Sequence, residues 1–386
     1  MLAIPHPVSV LAVNSGSSSL KLSLYHPEHP PLIKRVERIG LSGASPDHPS
    51  ALLAALADWQ GEGVIDGPVV VGHRLVHGGE LFTTAVRITE KVLSQLHAIS
   101  HLAPLHNPIA LQCIEALAEA FPAWPQVACF DTAFHHTLPP HAFHYALPTR
   151  LYREHGIRRY GFHGLSLASV CRQAEGLLER PLTELTLIIA HLGNGASISA
   201  IEGGRSVETS MGFTPLEGLV MGSRAGDLDP AILPFLESQL GMSGAEVRDL
   251  LNHESGLRGL CGQADLREIH ALIEQGDESA RLALEVYVHR IRKYLGAYTA
   301  VLGRVDALVF TAGVGEHDAR VREAVCAGLE NLGYVLDLSR NQQAQAACAL
   351  HAPASRSAIW VIPTDEEAEI ARQTTDIVLN TGSPHE

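Results

Sequence analysis

A chain of 386 residues that is 46% apolar and 18% charged can bury a large core and is not an intrinsically disordered polymer. Its 28 basic and 42 acidic residues leave a formal charge of −14, which argues against a general nucleic-acid or anionic-membrane surface. An anionic ligand must therefore meet a local cluster of positive groups, and most of these are arginine, because Lys21, Lys34, Lys91 and Lys293 are the only lysines.

The first apolar strand is expected at Val8 to Val13, followed by the small-residue turn NSGSSS (Asn14 to Ser19) and an alternating strand from Leu20. Residues 26 to 66 read as connection plus a short helix at Ala51 to Trp59, and Leu93 to Phe121 carries helical periodicity. Strand, Gly/Ser turn and strand recur at Leu187 to Ile201 around HLGNGAS, about 180 residues later. The chain therefore reads as two related halves. Leu284, Val288, Ile291, Leu295, Tyr298 and Leu302 fall on one face of a helix over Leu282 to Leu302. A strand at Ala307 to Phe310 then enters TAGVGEH (Thr311 to His317), and a last strand at Ile359 to Ile362 precedes a capping box of Thr364 and Glu367. Alternating strands and helices indicate α/β architecture.

No window approaches the roughly 18 apolar residues of a membrane span, and no basic stretch followed by a long apolar one opens the chain, so a cytoplasmic protein is expected. Six scattered cysteines without a C-x-x-C pair point to buried thiols rather than disulfides or zinc.

Backbone N–H groups in Gly/Ser turns can form a concavity for phosphate oxygens, so the two hairpins could hold a polyphosphate from two sides. Neither is a P-loop or a dinucleotide fingerprint. In VVVGHRLVHGGE (69 to 80), Arg74 lies mid-strand, where it needs a partner; it is either a structural ion pair or a fork for an anion. Arg224 in GSRAGDLDP has the same two readings. Asp131, after the strand VACF, is a magnesium ligand, a catalytic carboxylate or a turn cap. Histidine is abundant but fits no zinc spacing.

In chain order these segments resemble the acetate kinase family: NSGSSSLK at 14 to 21, HRLVHGG at 73 to 79, LAPLHNP at 102 to 108, FDTAFH at 130 to 135, RRYGFHG at 158 to 164, HLGNGASI at 191 to 198, TSMGFTPLEGL at 209 to 219, FTAGVGE at 310 to 316 and PTDEE at 363 to 367. The resemblance implies the duplicated two-domain superfold of acetate and sugar kinases, Hsp70 and actin, with a central cleft. Residues 1–131 plus 368–386 would form the first domain, completed by the C-terminal helix, and 132–367 the second. It implies a cytoplasmic homodimer that uses ATP with magnesium, manganese being an acceptable substitute, and that contacts neither nucleic acid nor membrane. The reaction would move the γ-phosphoryl group reversibly to acetate, giving acetyl phosphate and ADP.

By the same correspondence Arg74, Asp131, His163, Asn194 and Arg224 are catalytic, and Val76, Leu105, His106, Phe162 and Pro215 meet the acid. Asn14, Ser17, Ser19, Lys21, His191, Gly193, Gly195, Asp265, Leu266, Arg267, Gly313, Val314, Gly315 and Glu316 would bind nucleotide, and Asn14, Asp131 and Glu366 would hold the metal. Val76 favours acetate over longer acids. Three departures, Leu165, Leu167 and His317, replace the family's usual Thr, His and Asn, and the segment from Tyr25 to Gly67 looks shorter than usual. A propionate or butyrate kinase, a catalytically weak ATP-binding paralogue and a nucleotide-driven conformational protein of the same superfold are the alternatives.

Overall fold

The computed structural model describes residues 9–26, 29–41, 44–65, 67 and 69–380. Two compact units emerge: the described residues of Met1–His136, Gly164–Ser169 and Asp365–Glu386 form the first, and Thr137–His163 with Val170–Thr364 the second.

The first unit is built on β1 (Ser9–Ser15), β2 (Ser19–Tyr25), β3 (Leu32–Glu37), β4 (Val69–Leu75), β5 (Val86–Arg87) and β6 (Gln126–Phe130), in the spatial order β3-β2-β1-β4-β6-β5. β1 pairs antiparallel with β2 and parallel with β4, which pairs parallel with β6. Val8 lies outside the described residues. Helices cover both faces, as parallel strands require. On one face Leu52 and Leu56 of the helix His48–Gly61 and Leu117 of Asn107–Ala120 pack on Leu11, Leu22 and Val71. On the other, Ile370 and Ala371 of the last helix, Glu366–Asn380, pack on Val10, Ala12 and Cys129. Gly72 permits that approach, since a Cβ there would lie 2.1 Å from Thr374 Oγ1.

The second unit uses β7 (Thr186–Leu192), β8 (Ala196–Glu202), β9 (Arg205–Thr209), β10 (Ala307–Thr311), β11 (Cys348–Ala349) and β12 (Ala358–Val361), in the order β11-β12-β10-β7-β8-β9. Read from its other end, that order repeats the first sheet strand for strand, with the same parallel and antiparallel senses along the core of the sheet. The duplication expected from the two hairpins extends to the whole topology. The long helix runs Glu278–Leu302 and buries Val288, Ile291, Leu295 and Tyr298, while Leu284 and Leu302 are half-buried.

Several expectations need correction. β3 falls inside a segment read as connection, and as an edge strand it leaves Leu32 and Ile33 exposed, which blurs its alternation. The expected Thr364–Glu367 capping box is absent: Asp365 accepts from Ala368 N at 3.0 Å, while Glu367 is drawn to Lys21 and Asn14. Cys261 and Cys348 are half-buried rather than buried. Beside the expected bounds of 131 and 367, the first compact unit runs to His136, takes in Gly164–Ser169 and resumes at Asp365. Gly164 N donates to Asp131 O at 2.8 Å, and Leu165 joins the core around Val10 and Ile370.

Candidate active site

Chemistry-bearing residues of the first unit gather at the C-terminal ends of its parallel strands, where open α/β sheets place ligands. β1 supplies Asn14, β4 supplies Arg74, and Asp131 follows β6, its N–H donating to Leu75 O at 3.0 Å. Arg74 Nε donates to both Asp131 oxygens at 3.1 and 3.2 Å, and Nη2 donates to Oδ2 at 2.7 Å. Nη1 reaches Asn14 Oδ1 at 2.9 Å. The mid-strand arginine is thus paired bidentately, with Asp131 1% exposed. Burial alone would lower the Arg74 guanidinium, but Asp131 and then Glu366 hold it above its ordinary range.

Asn14 Nδ2 donates to Glu367 Oε1 at 2.9 Å and to Glu366 Oε2 at 3.4 Å, and Lys21 Nζ pairs with Glu367 Oε2 at 2.5 Å. Asn14 and Lys21 are register partners across the β1–β2 hairpin, which explains their shared neighbour. Two cations thus face three carboxylates, and Glu366 has no ion-pair partner among the described residues. Desolvation raises the Glu366 carboxyl above the usual range, Asp131 and Glu367 add to this, and Arg74 and Lys21 oppose it. No three His, Cys, Asp or Glu side chains among the described residues form a metal centre alone. Glu366, Asp131 and the Asn14 amide nevertheless suit magnesium, which is commonly held by one or two carboxylates with substrate phosphates completing its shell. In the preceding turn Ser17 is exposed, Ser19 is half-buried, and Gly16 N closes onto Ser19 O at 2.8 Å. Of the residues expected at the acid in this unit, Val76 is buried, His106 half-buried and Leu105 57% exposed.

In the second unit a cavity of about 830 Å³ is lined by Gly193, Asn194, Asp265, Leu266, Arg267, Gly313 and Val314 among the expected residues. Its size falls in the range of small-molecule and cofactor pockets. Gly315 and Glu316 are not in its lining: Gly315 packs on Phe310 and Ala190, and Glu316 Oε1 accepts from Thr364 N at 3.1 Å. Tyr287, His270 and Asp318 also line the cavity and were not singled out from sequence: Tyr287 and His270 sit on helices without a glycine motif, and Asp318 reads there as a helix cap after TAGVGEH. His317 lines it too.

The β7–β8 turn beside this cavity carries the remaining groups. His163 Nδ1 lies 2.9 Å from Ser197 Oγ, and its ring stacks on His191 with centroids 4.1 Å apart. A Cβ built on Gly195 would lie 3.5 Å from His163 Nε2 and 3.7 Å from Arg224 Nη1, so both nitrogens overlook the bare glycine. Arg224 Nη1 donates to Pro215 O at 3.3 Å and faces no carboxylate at ion-pair distance among the described residues. Burial therefore lowers its pKa without compensation. A half-buried guanidinium with no counter-anion is a ready anion site. Phe162 is buried and Pro215 half-buried. Leu165 and Leu167 are fully buried apolar side chains, so those departures went into packing.

The family model described as the Acetokinase family matches residues 34–372. The acetate kinase of Sulfurovum sp. is 49% identical over 392 residues, covering 96% of this chain and 99% of that one. The acetate kinase of Streptomyces coelicolor is 47% identical, covering 97% and 98%. Among solved structures, Porphyromonas gingivalis acetate kinase superimposes with TM-score 0.89 at 41% identity, covering 96% of this chain and all of that one. A propionate kinase from Francisella tularensis superimposes with TM-score 0.87 at 38% identity and the same coverage.

Proposed function

The chain belongs to the acetokinase family, and we propose that it transfers the γ-phosphoryl group of ATP reversibly to a short-chain carboxylate, acetate being preferred, to give acetyl phosphate and ADP. The observation that carries this reading is the Arg224 guanidinium, which meets no carboxylate among the described residues and overlooks Gly195 together with His163 Nε2, next to the cavity that Gly193 and Asn194 help line.

The acid is already ionised at pH 7, so its oxygen attacks phosphorus in line while the bond to the β-phosphate oxygen breaks, and no general base is required. Catalysis then rests on alignment and on positive charge around the moving group. In our reading Arg224, His163 and Asn194 donate to the equatorial oxygens as charge develops there. Arg74, anchored by Asp131 and Asn14, supplies the charge that draws in the carboxylate. Glu366, Asp131 and Asn14 would hold magnesium, or manganese in its place, and the ion neutralises phosphate charge when bound.

Val76 supports a methyl-sized acid site. One methylene is worth about 1–3 kcal/mol, so propionate is expected to be a slower substrate rather than excluded. No helix among the described residues is long and apolar enough to cross a membrane. The free cysteines support a reducing, cytoplasmic setting. A homodimer is supported by the helix Ile232–Leu240, which buries none of its side chains and exposes Ile232, Phe235 and Leu240.

The test is formation of acyl phosphate, trapped with hydroxylamine, from Mg–ATP and acetate, propionate or butyrate. The highest kcat/KM with acetate supports the reading. A folded, ATP-binding protein that makes no acyl phosphate from any of the three refutes it.

A further inference from the structure

We propose that Ser197 is a positioning residue that sets the tautomer of His163, so that Nε2 carries the proton and acts as a donor at the bare surface of Gly195. The role of that donor in transfer rests on the function proposed above; the tautomer itself does not.

A neutral imidazole has one N–H, and the partner of one ring nitrogen decides what the other can do. Ser197 Oγ lies 2.9 Å from Nδ1, and the Ser197 side chain is fully buried, so among the described residues Nδ1 is the acceptor its hydroxyl proton can reach. If that O–H donates to Nδ1, the ring proton must sit on Nε2. Nε2 is the nitrogen that lies 3.5 Å from the Cβ position of Gly195, with Arg224 Nη1 3.7 Å from the same point. The opposite tautomer would put a lone pair where an anionic oxygen approaches, and would repel it.

The ring is held for this by one pair of strands. His191 and Ser197 are register partners across β7 and β8, and cross-strand partners present their side chains on the same face. His191 stacks on the ring at 4.1 Å with 17° between planes, while Ser197 fixes its edge. A half-turn of the imidazole would set Cδ2 against Ser197 Oγ and lose the hydrogen bond. His163 itself has φ +60°, a left-handed backbone that is uncommon outside glycine and is found where a site dictates it.

The test reads protonation directly. Long-range proton–nitrogen correlation spectra of histidine-labelled protein, with His163→Gln to assign the ring, report which nitrogen carries the proton above its titration. The proposal expects Nε2–H in the substrate-free wild type and loss of that preference in Ser197→Ala, with Ser197→Thr restoring it. In the acyl phosphate assay Ser197→Ala should lower kcat by about tenfold, with smaller changes in the KM of ATP and acid, as expected for one hydrogen bond felt in the transition state. An Nδ1–H wild type overturns the proposal, even if the Ser197 variants do not fold. So does a Ser197→Ala protein whose His163 spectrum and pH–rate profile match wild type. Because the spectral arm needs no turnover, failure of the kinase reading would leave the tautomer result standing.

Discussion

Arg74→Ala should destabilise the first unit and abolish most transfer, and the two effects can be separated. The guanidinium makes three contacts of 2.7 to 3.2 Å with Asp131, whose side chain is 2% exposed. Removing it leaves Asp131, Glu366 and Glu367 with Lys21 as the one remaining cation in the network. Breaking a buried ion pair from one side costs about 3–5 kcal/mol, because the surviving charge stays buried without compensation. Adding Asp131→Asn removes that stranded charge, so the double variant should recover a large part of the loss, with a coupling energy of about 2 kcal/mol or more. Urea unfolding of the four proteins in the cycle measures this. Transfer, followed as hydroxylamine-trapped acyl phosphate under conditions where the variants are folded, should fall by about 10²–10³ for loss of one electrostatic group. ATP binding should be largely retained, because the cavity lining includes neither Arg74 nor its partners. A stability loss below about 1 kcal/mol, or additive single effects, would refute the claim that Arg74 neutralises this cluster.

Ala312 has φ +64°, so Ala312→Gly should stabilise the fold by about 1 kcal/mol, read as a higher urea midpoint. Burial would raise the Asp306 carboxyl, but donors from Thr186, Arg180 and Arg304 bring it down to about 2. The stabilisation is therefore complete above the unfolded value of about 4 and is lost as pH falls towards 2. After allowance for solvent, Asp306→Asn should cost about 1–2 kcal/mol at pH 7 and flatten the stability profile between about pH 4 and 2. Val76→Ala should move the ratio of kcat/KM towards propionate by about tenfold, measured with both acids in parallel. Gly195→Ala places a methyl at ordinary contact distance from His163 and Arg224, so urea unfolding should show a folded protein while acyl phosphate formation falls sharply.

The two related halves were legible because strand, Gly/Ser turn and strand recur about 180 residues apart, while the matching strand orders emerge only in the structure. The need for a partner to Arg74 was legible as well, since a strand interior does not tolerate a lone cation. The identity of that partner was not visible, because Asp131 arrives 57 positions later through parallel pairing of β4 and β6. Ser197 was hidden inside a motif read as a phosphate turn, and only the fold brings it to His163. Leu165 and Leu167 stand out in the sequence only as departures from the family pattern, and the fold shows that both are buried. Local pattern reports what a residue needs, while long-range pairing decides which residue supplies it.

The distribution of backbone strain supports the same site from a separate direction. His163 and Ala312 are two of the four non-glycine residues with positive φ among those described, and left-handed backbone costs such residues on the order of 1–2 kcal/mol each. Both abut the β7–β8 turn: Ala312 Cβ lies 3.7 Å from the Cβ position of Gly193, and His163 Nε2 lies 3.5 Å from that of Gly195. Two strained residues from separate segments thus converge on two glycines: a Cβ at Gly193 would crowd Gly195 O at 3.2 Å, and one at Gly195 would stand against the His163 and Arg224 nitrogens. On the function proposed above, an anionic oxygen meeting the His163 and Arg224 nitrogens over Gly195 would give the strain at His163 and the bare glycine a common cause.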